Sequence, residues 1–522
     1  MRKKTPSLQK GDFHRTSIFY PVLLGIYPLL ALLASNLDQV RLQAGLRVGV
    51  LSLAGSTLLF LLARLLLKVW GKAALLSTWI LLLFFSYGHV YGLLENKSVV
   101  GFVIGRHRIM APLWGIILLA GAWLILKKLK ATDNLHQLLN ATSLVLVLLP
   151  TLQIGYHQVR AVQIANQKQA SSSQQLTATQ ATQKLPDTYY IILDGYTRSD
   201  SLQSVYHFDN TPFVNQLKQM GFVLPDCAQS NYAWTTFSLS STFQMNYMDT
   251  YSPQIQTPDA HVDYLTYQGF IVHNPVRQNL HDLGYKVVAF ETDFPFTEWT
   301  DADIYIVGNN NPLEKLKSGR DVSDFELLFL RTTALRILEE AQGAYFNKLV
   351  SQVRTPDQVH YDRILFVLDQ LQSIPTLVPG RKFVFAHLVA PHAPFVFTSD
   401  GRYSTVRSPD TGYPDEIAYL NQRILKIVQT ILQNSSTPPV IVIQGDHGWD
   451  AVHRMTILNA YYLPGGGSQR IYPTITPVNT FRVIFDQYFG GTYKLLEDKS
   501  YFSSDTRQFG FELRPSTCVS SH

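Results

Sequence analysis

The residues that could do chemistry in this chain sit where apolar runs end in a carboxylate: Ile191-Ile192-Leu193-Asp194-Gly195-Tyr196 and Val442-Ile443-Gln444-Gly445-Asp446-His447-Gly448. A β-branched run closed by a carboxylate and glycine is the pattern of a buried strand that delivers a side chain at its carboxyl end. The adjacent Asp446-His447 pair offers one anionic oxygen and one imidazole nitrogen from a single turn, which suits a borderline divalent ion. Metal-assisted ester chemistry is the leading expectation. Taken alone, Asp194-Gly195 also fits a strand running into a turn.

These residues need a scaffold. Further strands are expected at Lys286-Val287-Val288-Ala289-Phe290, at Lys382 through Leu388 and at Val440 through Ile443. Helical patterns fall at 198–221, closing at Gly221, and at Glu416 through Leu432, where Ile417, Leu420, Ile424, Ile427, Val428 and Ile431 repeat at helical spacing. Strands alternating with helices predict an α/β domain with a mostly parallel sheet flanked by helices. In such sheets ligands bind beyond the carboxyl ends of the strands, where Asp194 and Asp446 fall. The cluster Ser230-Asn231-Tyr232-Ala233-Trp234-Thr235-Thr236-Phe237-Ser238 lies between these elements, and Thr235 there also fits a helix N-cap. The stretch from about 300 to 365 reads as a helical insertion without an interpretable motif.

Of the 522 residues 46% are hydrophobic and only 16% charged, against roughly 25% charged in ordinary soluble domains. The deficit lies in the first 160 residues, where segments near 17–36, 48–67, 73–94, 109–126 and 135–156 are each long enough to cross a bilayer as helices. Arg64 near the end of the second must reach the interface, and Gln137, Asn140 and Gln153 make the fifth the most polar. Arg2, Lys3, Lys4, Lys10, Arg15, Arg64, Lys68, Lys72, Lys127, Lys128 and Lys130 mark one side, against Arg41, Arg47, Lys97, Arg106 and Arg108 on the other. The richer side is retained in the cytoplasm, so the amino terminus is expected inside and everything after 157 outside the plasma or inner membrane. The expected division is a five-span transmembrane domain at 1–157, a polar spacer at 158–187 with a reach on the order of 25 Å, and an extracytoplasmic catalytic domain at 188–522. Cys227 and Cys518 fall in that domain as a disulfide or as two thiols. The net charge of +6 includes the loop lysines and arginines and is no nucleic-acid signal.

Over about 188–450 the outer domain resembles the sulfatase branch of the alkaline phosphatase superfamily. The membrane half with its tether resembles the lipoteichoic acid synthases and phosphoethanolamine transferases of that superfamily. The resemblance is carried, in order, by Asp194, Thr-Pro-Phe-Val-Asn-Gln-Leu at 211–217, Thr235-Thr236-Phe237-Ser238, Gly284-Tyr285-Lys286, Ala386-His387-Leu388 with Pro391-His392-Ala393-Pro394-Phe395, and Gly445-Asp446-His447-Gly448. It implies Thr235 as nucleophile, with Thr236 as the alternative, and Asp194, Thr235, Asp446 and His447 as ligands of a zinc, manganese or magnesium ion. A threonine hydroxyl is inert at neutral pH unless a cation lowers its pKa. The resemblance further implies His392 as the group that binds the phosphoryl oxygens or protonates the leaving group. His387 and His453 are candidates for substrate binding beside it.

Sulfatases of this branch carry formylglycine made from Cys or Ser, which threonine cannot become, and Gly195 replaces their second aspartate; both departures favour phosphoryl over sulfuryl substrates. The reading is a membrane-anchored, metal-dependent hydrolase or transferase acting on a lipid head group or membrane-linked glycan. Its rivals are a sulfuric ester hydrolase of the same fold and a catalytically inactive lipid- or glycan-binding membrane protein.

Overall fold

The computed structural model of the chain describes residues 17–37, 40–95, 97–99, 102–103, 105–130, 132–166, 176, 185–250, 264–308, 322–340, 354–405 and 407–517. The amino-terminal basic residues, most of the polar spacer and Cys518 lie outside the described residues. Two compact units emerge, one of 1–158 with 322–352, the other of 159–321 with 353–522.

The first unit contains helices α1 (Tyr20–Ala34), α2 (Leu46–Leu67), α3 (Trp70–Leu94), α4 (His107–Lys127) and α5 (Asp133–Asn166). They fall on the five expected segments. Four, with α2 counted from Leu42, are long and apolar enough to cross a membrane; α1 has 15 residues, about 22 Å against roughly 30 Å of hydrocarbon. Polar residues of α5 explain how so short a helix closes. Asn140 Oδ1 accepts from the Phe19 and Tyr20 amides at 3.2 and 3.1 Å, and Gln153 Nε2 donates to the Ala34 carbonyl at 3.0 Å. Two of the side chains that make α5 polar thus satisfy orphan backbone groups at both ends of α1. Arg64 lies over the Trp70 ring at 5.0 Å.

Of the insertion read as mute, the part described over 322–340 joins this unit, whereas its two ends belong to the other. Phe325 and Phe329 on the helix Asp324–Thr332 pack with Leu29, Leu33 and Val48. Arg47 Nε holds Glu326 Oε1 at 2.6 Å, and Arg336 Nη2 holds Glu95 Oε2 at 2.6 Å. Its periodicity gave no sign of this because the partners are distant in sequence.

The second unit is built on a six-stranded sheet of β1 (Thr188–Leu193), β2 (Lys286–Phe290), β3 (Ile304–Ile306), β4 (Lys382–Leu388), β5 (Val440–Gln444) and β6 (Asn459–Tyr462). Their spatial order is β3-β2-β4-β1-β5-β6, parallel except for β6. The α/β architecture is the expected one, with β3 and β6 added. The central strands β1, β4 and β5 are buried throughout, which is why they read as continuous apolar runs. Helix α6 (Thr235–Gln244) covers one face, setting Phe243 against Tyr190 and Phe385 at ring distances of 5.5 and 5.1 Å. Helices α7 (Pro356–Leu377) and α8 (Pro409–Asn434) cover the other with Leu368, Leu371, Leu420 and Ile424.

The helix expected over 198–221 is two helices, Ser199–Tyr206 and Thr211–Gln219. His207 ends the first in the left-handed conformation, with φ 53, and Pro212 lacks the amide a continuous helix needs there. Asp209 Oδ1 accepts from the Thr211 amide at 2.9 Å and restarts the chain. At the end of the chain, Phe509 on a hairpin of Ser500–Ser504 and Arg507–Arg514 is buried against Phe237. Cys227 is buried and disulfide-bonded.

Candidate active site

The sheet register brings the two islands together. Ile192 of β1 pairs with Gln444 of β5, so Asp194 and Asp446, each two residues further on, leave neighbouring strands at one level, separated by about one strand spacing of ~4.8 Å. On the other side Ile192 pairs with His387 of β4. Asp194, Asp446 and His447 are all buried, and ligand atoms from the three lie within 4.8 Å of one another.

Two of these atoms, Asp194 Oδ1 and Asp446 Oδ2, are acceptors without donors. Asp446 Oδ1 receives the Gly195 and His447 amides at 3.0 and 2.9 Å, whereas Oδ2 has no hydrogen-bond partner and stands 3.4 Å from His447 Nε2. Asp194 Oδ1 is likewise unpartnered and lies 3.7 Å from the same nitrogen. His447 Nδ1 donates to the Gly448 carbonyl at 3.0 Å, which assigns the proton to Nδ1 and leaves Nε2 with a lone pair. Burial, with Arg454 and His392 adding to it, lowers His447 to about 4, against the raising pull of Asp446 and Asp194. Burial by itself raises the Asp194 carboxyl, but His392, His387 and His447 outweigh it and hold that carboxyl well below the usual range. Two carboxylates and an imidazole whose Nε2 keeps a lone pair, facing one another, fit a divalent cation by donor type.

Gly195 serves this arrangement directly. Its φ is +74, and a Cβ there would lie 3.6 Å from the Trp449 ring and 4.0 Å from His392. Tyr413 of α8 donates to its carbonyl at 2.7 Å, fixing the loop that presents Asp194.

The hydroxyl reaches the cluster from the opposite face. Thr235 is the first residue of α6, and its Oγ1 is 3.1 Å from His447 Nε2. Trp234 occupies the N-cap without a side-chain bond, so Thr235 is not a cap. Ser238, one turn on, donates to the Asp446 carbonyl at 2.7 Å and locks the helix to the β5 turn. Thr236 is buried too, but the bond to His447 is made by Thr235.

The three other histidines take different places. His387 is fully enclosed, with Nδ1 2.8 Å from the Thr297 hydroxyl and Nε2 3.3 Å from Asp194 Oδ2, close but not aligned for a hydrogen bond. It stands behind Asp194. His392 lies edge-on to Trp449 at 5.0 Å, with Nδ1 2.8 Å from the Ala393 carbonyl. His453 is partly exposed, and its ring contacts Asp450 Oδ1 at 2.9 Å rather than the cluster.

No protein-family model matches the chain, and no curated protein matches it. Solved structures do. The integral membrane protein lipooligosaccharide phosphoethanolamine transferase A (EptA) from Neisseria meningitidis aligns over 90% of this chain and 95% of its own at 12% identity and a TM-score of 0.39. The C-terminal periplasmic domain of EcEptC from Escherichia coli aligns over 63% and 93% at 12% identity and 0.38. The phosphonate monoester hydrolase of Agrobacterium radiobacter aligns over 61% and 80% at 14% identity and 0.36.

Arg454 is the site residue that the sequence did not reveal. Its guanidinium donates through Nε to the Ala233 carbonyl at 2.8 Å, lies over the Trp234 ring at 4.8 Å, and puts Nη2 3.2 Å from His447 Nε2. One partly buried cation therefore offsets part of the charge of the two carboxylates. No spacing rule marks it, because its meaning comes only from the fold that brings 233–235 to the β5 turn.

Proposed function

We propose that the chain is a membrane-anchored, metal-dependent enzyme of the alkaline phosphatase superfamily that cleaves or transfers phosphate esters, with Thr235 as nucleophile. The observation that carries this reading is the convergence of two buried carboxylate oxygens without donors, on Asp194 and Asp446, with His447 Nε2, the atom that meets the Thr235 hydroxyl. Those three residues and Thr235 would hold a divalent ion, which supplies a lowered hydroxyl pKa and charge neutralisation. Thr235 attacks phosphorus through Oγ1 and carries the phosphoryl group at the positive end of α6, where backbone amides favour an anion. Arg454 adds positive charge beside His447 Nε2, the atom that Oγ1 meets. His392 protonates the departing oxygen, and His387 positions Asp194.

A chain with four helices apolar enough to span a bilayer favours a lipid head group or membrane-linked glycan as substrate. We further infer that α1 crosses as a fifth span, because Asn140 and Gln153 satisfy its ends inside the bundle and a short helix is accommodated by local thinning. An odd number of crossings, with the basic bias of the loops, puts the amino terminus in the cytoplasm and the catalytic unit outside.

The test is metal content and bis(p-nitrophenyl) phosphate turnover of the full chain in detergent. Thr235→Ala should lose turnover on the order of 10³-fold or more while remaining folded, and Thr235→Ser should keep much of it. A folded wild type that retains no metal and turns over nothing would leave the binding-protein reading. Turnover of aryl sulfate without aryl phosphate would leave the sulfatase reading.

A further inference from the structure

A second set of buried, unpartnered polar groups lies on α7. His360 and Arg363 share one face of α7, three residues apart, and each is only 8% exposed. His360 Nε2 and Arg363 Nε have no hydrogen-bond partner. Neither residue belongs to a motif that the sequence singled out.

Two loops of the active site enclose them. Tyr361, between the two, packs on Phe397 at 4.6 Å and donates to the Gly401 carbonyl at 2.8 Å, so the start of α7 lies on the loop that carries His392. Arg363 Nη2 donates to Asp293 Oδ2 at 2.6 Å. Asp293 belongs to the turn closed by its own amide on Glu298 at 2.7 Å, and Thr297 of that turn holds His387 against Asp194. Burial, then Arg363 and His392, keep His360 neutral, lowered to about 3.

We propose that His360 and Arg363 line an oxyanion pocket beside Asp194 that receives non-bridging oxygens of the phosphoryl group without ligating the metal. The inference rests on the phosphoester reading above. A buried guanidinium N–H with no acceptor loses a hydrogen bond that an anionic oxygen supplies. The carboxylate pair recruits the cation and this pair recruits the anion, so a phosphate ester bridges the two deficiencies. A cation alone leaves the second unmet.

Binding of inorganic phosphate to the full chain in detergent, followed by calorimetry with metal content measured in parallel, decides the matter. Arg363→Gln should weaken phosphate by about tenfold to a hundredfold with metal content unchanged, and His360→Gln should weaken it less. Arg363→Lys should recover part of the loss. Asp293→Asn, which releases the guanidinium from its carboxylate, should leave phosphate affinity equal or tighter. Weaker binding in Asp293→Asn would mean that the ion pair only braces the turn, and would overturn the pocket. So would wild-type affinity in both His360→Gln and Arg363→Gln, even with turnover intact. A wild type without turnover whose phosphate binding still depends on Arg363 would remove the enzymatic reading and keep the pocket.

Discussion

Asp446 Oδ2 stands 3.4 Å from His447 Nε2, two acceptors side by side in a buried space with no proton between them. The fold holds them there because Oδ1 of the same carboxylate takes two backbone amides and Nδ1 of the same imidazole gives its proton to Gly448. The pair suits a divalent cation by donor type.

Asp446→Asn turns this contact between two acceptors into a donor–acceptor pair. Oδ1 keeps its two amides, while Nδ2 replaces the orphan oxygen and donates to His447 Nε2 or Asp194 Oδ1. In chelator the variant should melt higher than wild type by about 2–4 °C, the equivalent of about 1 kcal/mol. Added zinc or manganese should then raise the melting temperature of wild type but not of the variant. Equal stabilisation of both by metal would show that Asp446 is not a ligand.

Arg454 sets a cation 3.2 Å from a ligand nitrogen, so it opposes the metal while favouring an anionic substrate. Arg454→Gln should tighten metal binding by at least about tenfold and lower turnover at saturating metal. Competitive titration with a chromophoric chelator measures the first effect. Weakened metal binding would mean that Arg454 serves mainly to hold the Ala233 and Thr235 backbone in place.

Glu416 gives a pH prediction away from the ligands. Burial raises it to about 8, against the lowering pull of the Val396 and Phe397 amides that its Oε1 accepts. The native chain therefore keeps a proton that the unfolded chain releases above its ordinary 4.5. The contribution is full below about 4.5 and is lost as the pH rises toward 8, by at most about 1.4 kcal/mol per pH unit. Glu416→Gln should match wild type at pH 5 and exceed it increasingly up to pH 8 in thermal melts. A gap that does not change with pH would refute the protonated carboxyl.

In the helical unit, Asn140→Ala removes the acceptor for both the Phe19 and Tyr20 amides. A loss of about 1 kcal/mol is expected, the size of a helix cap. Titration of the full chain with SDS from mild detergent, followed by tryptophan fluorescence, measures it. A neutral effect would mean that water or lipid head groups satisfy the start of α1.

Much of the framework was legible from the residues alone. The runs Ile191–Leu193, Val384–Ala386 and Val440–Ile443 announce buried parallel strands because burial on both faces leaves no polar position to interrupt them. Asp194 and the Asp446-His447 pair stand out because a carboxylate closing such a run has to be partnered. The apolar segments of the first 160 residues declare themselves by length, since a bilayer demands about twenty apolar residues in a row.

Contacts between distant segments were decided by the tertiary structure. Register alone set Asp194 and Asp446 at one level, and the packing of α6 chose the hydroxyl of Thr235 to meet His447. Arg454, His360 and Arg363 look like ordinary charged or aromatic-flanked residues in the sequence; burial beside unpaired groups is what gives them meaning. Asn140 and Gln153, which weaken α5 as an apolar span, cap α1 in the folded bundle. Local patterning reports what a segment buries. It carries no information about which unpaired donor or acceptor from another segment will be buried against it.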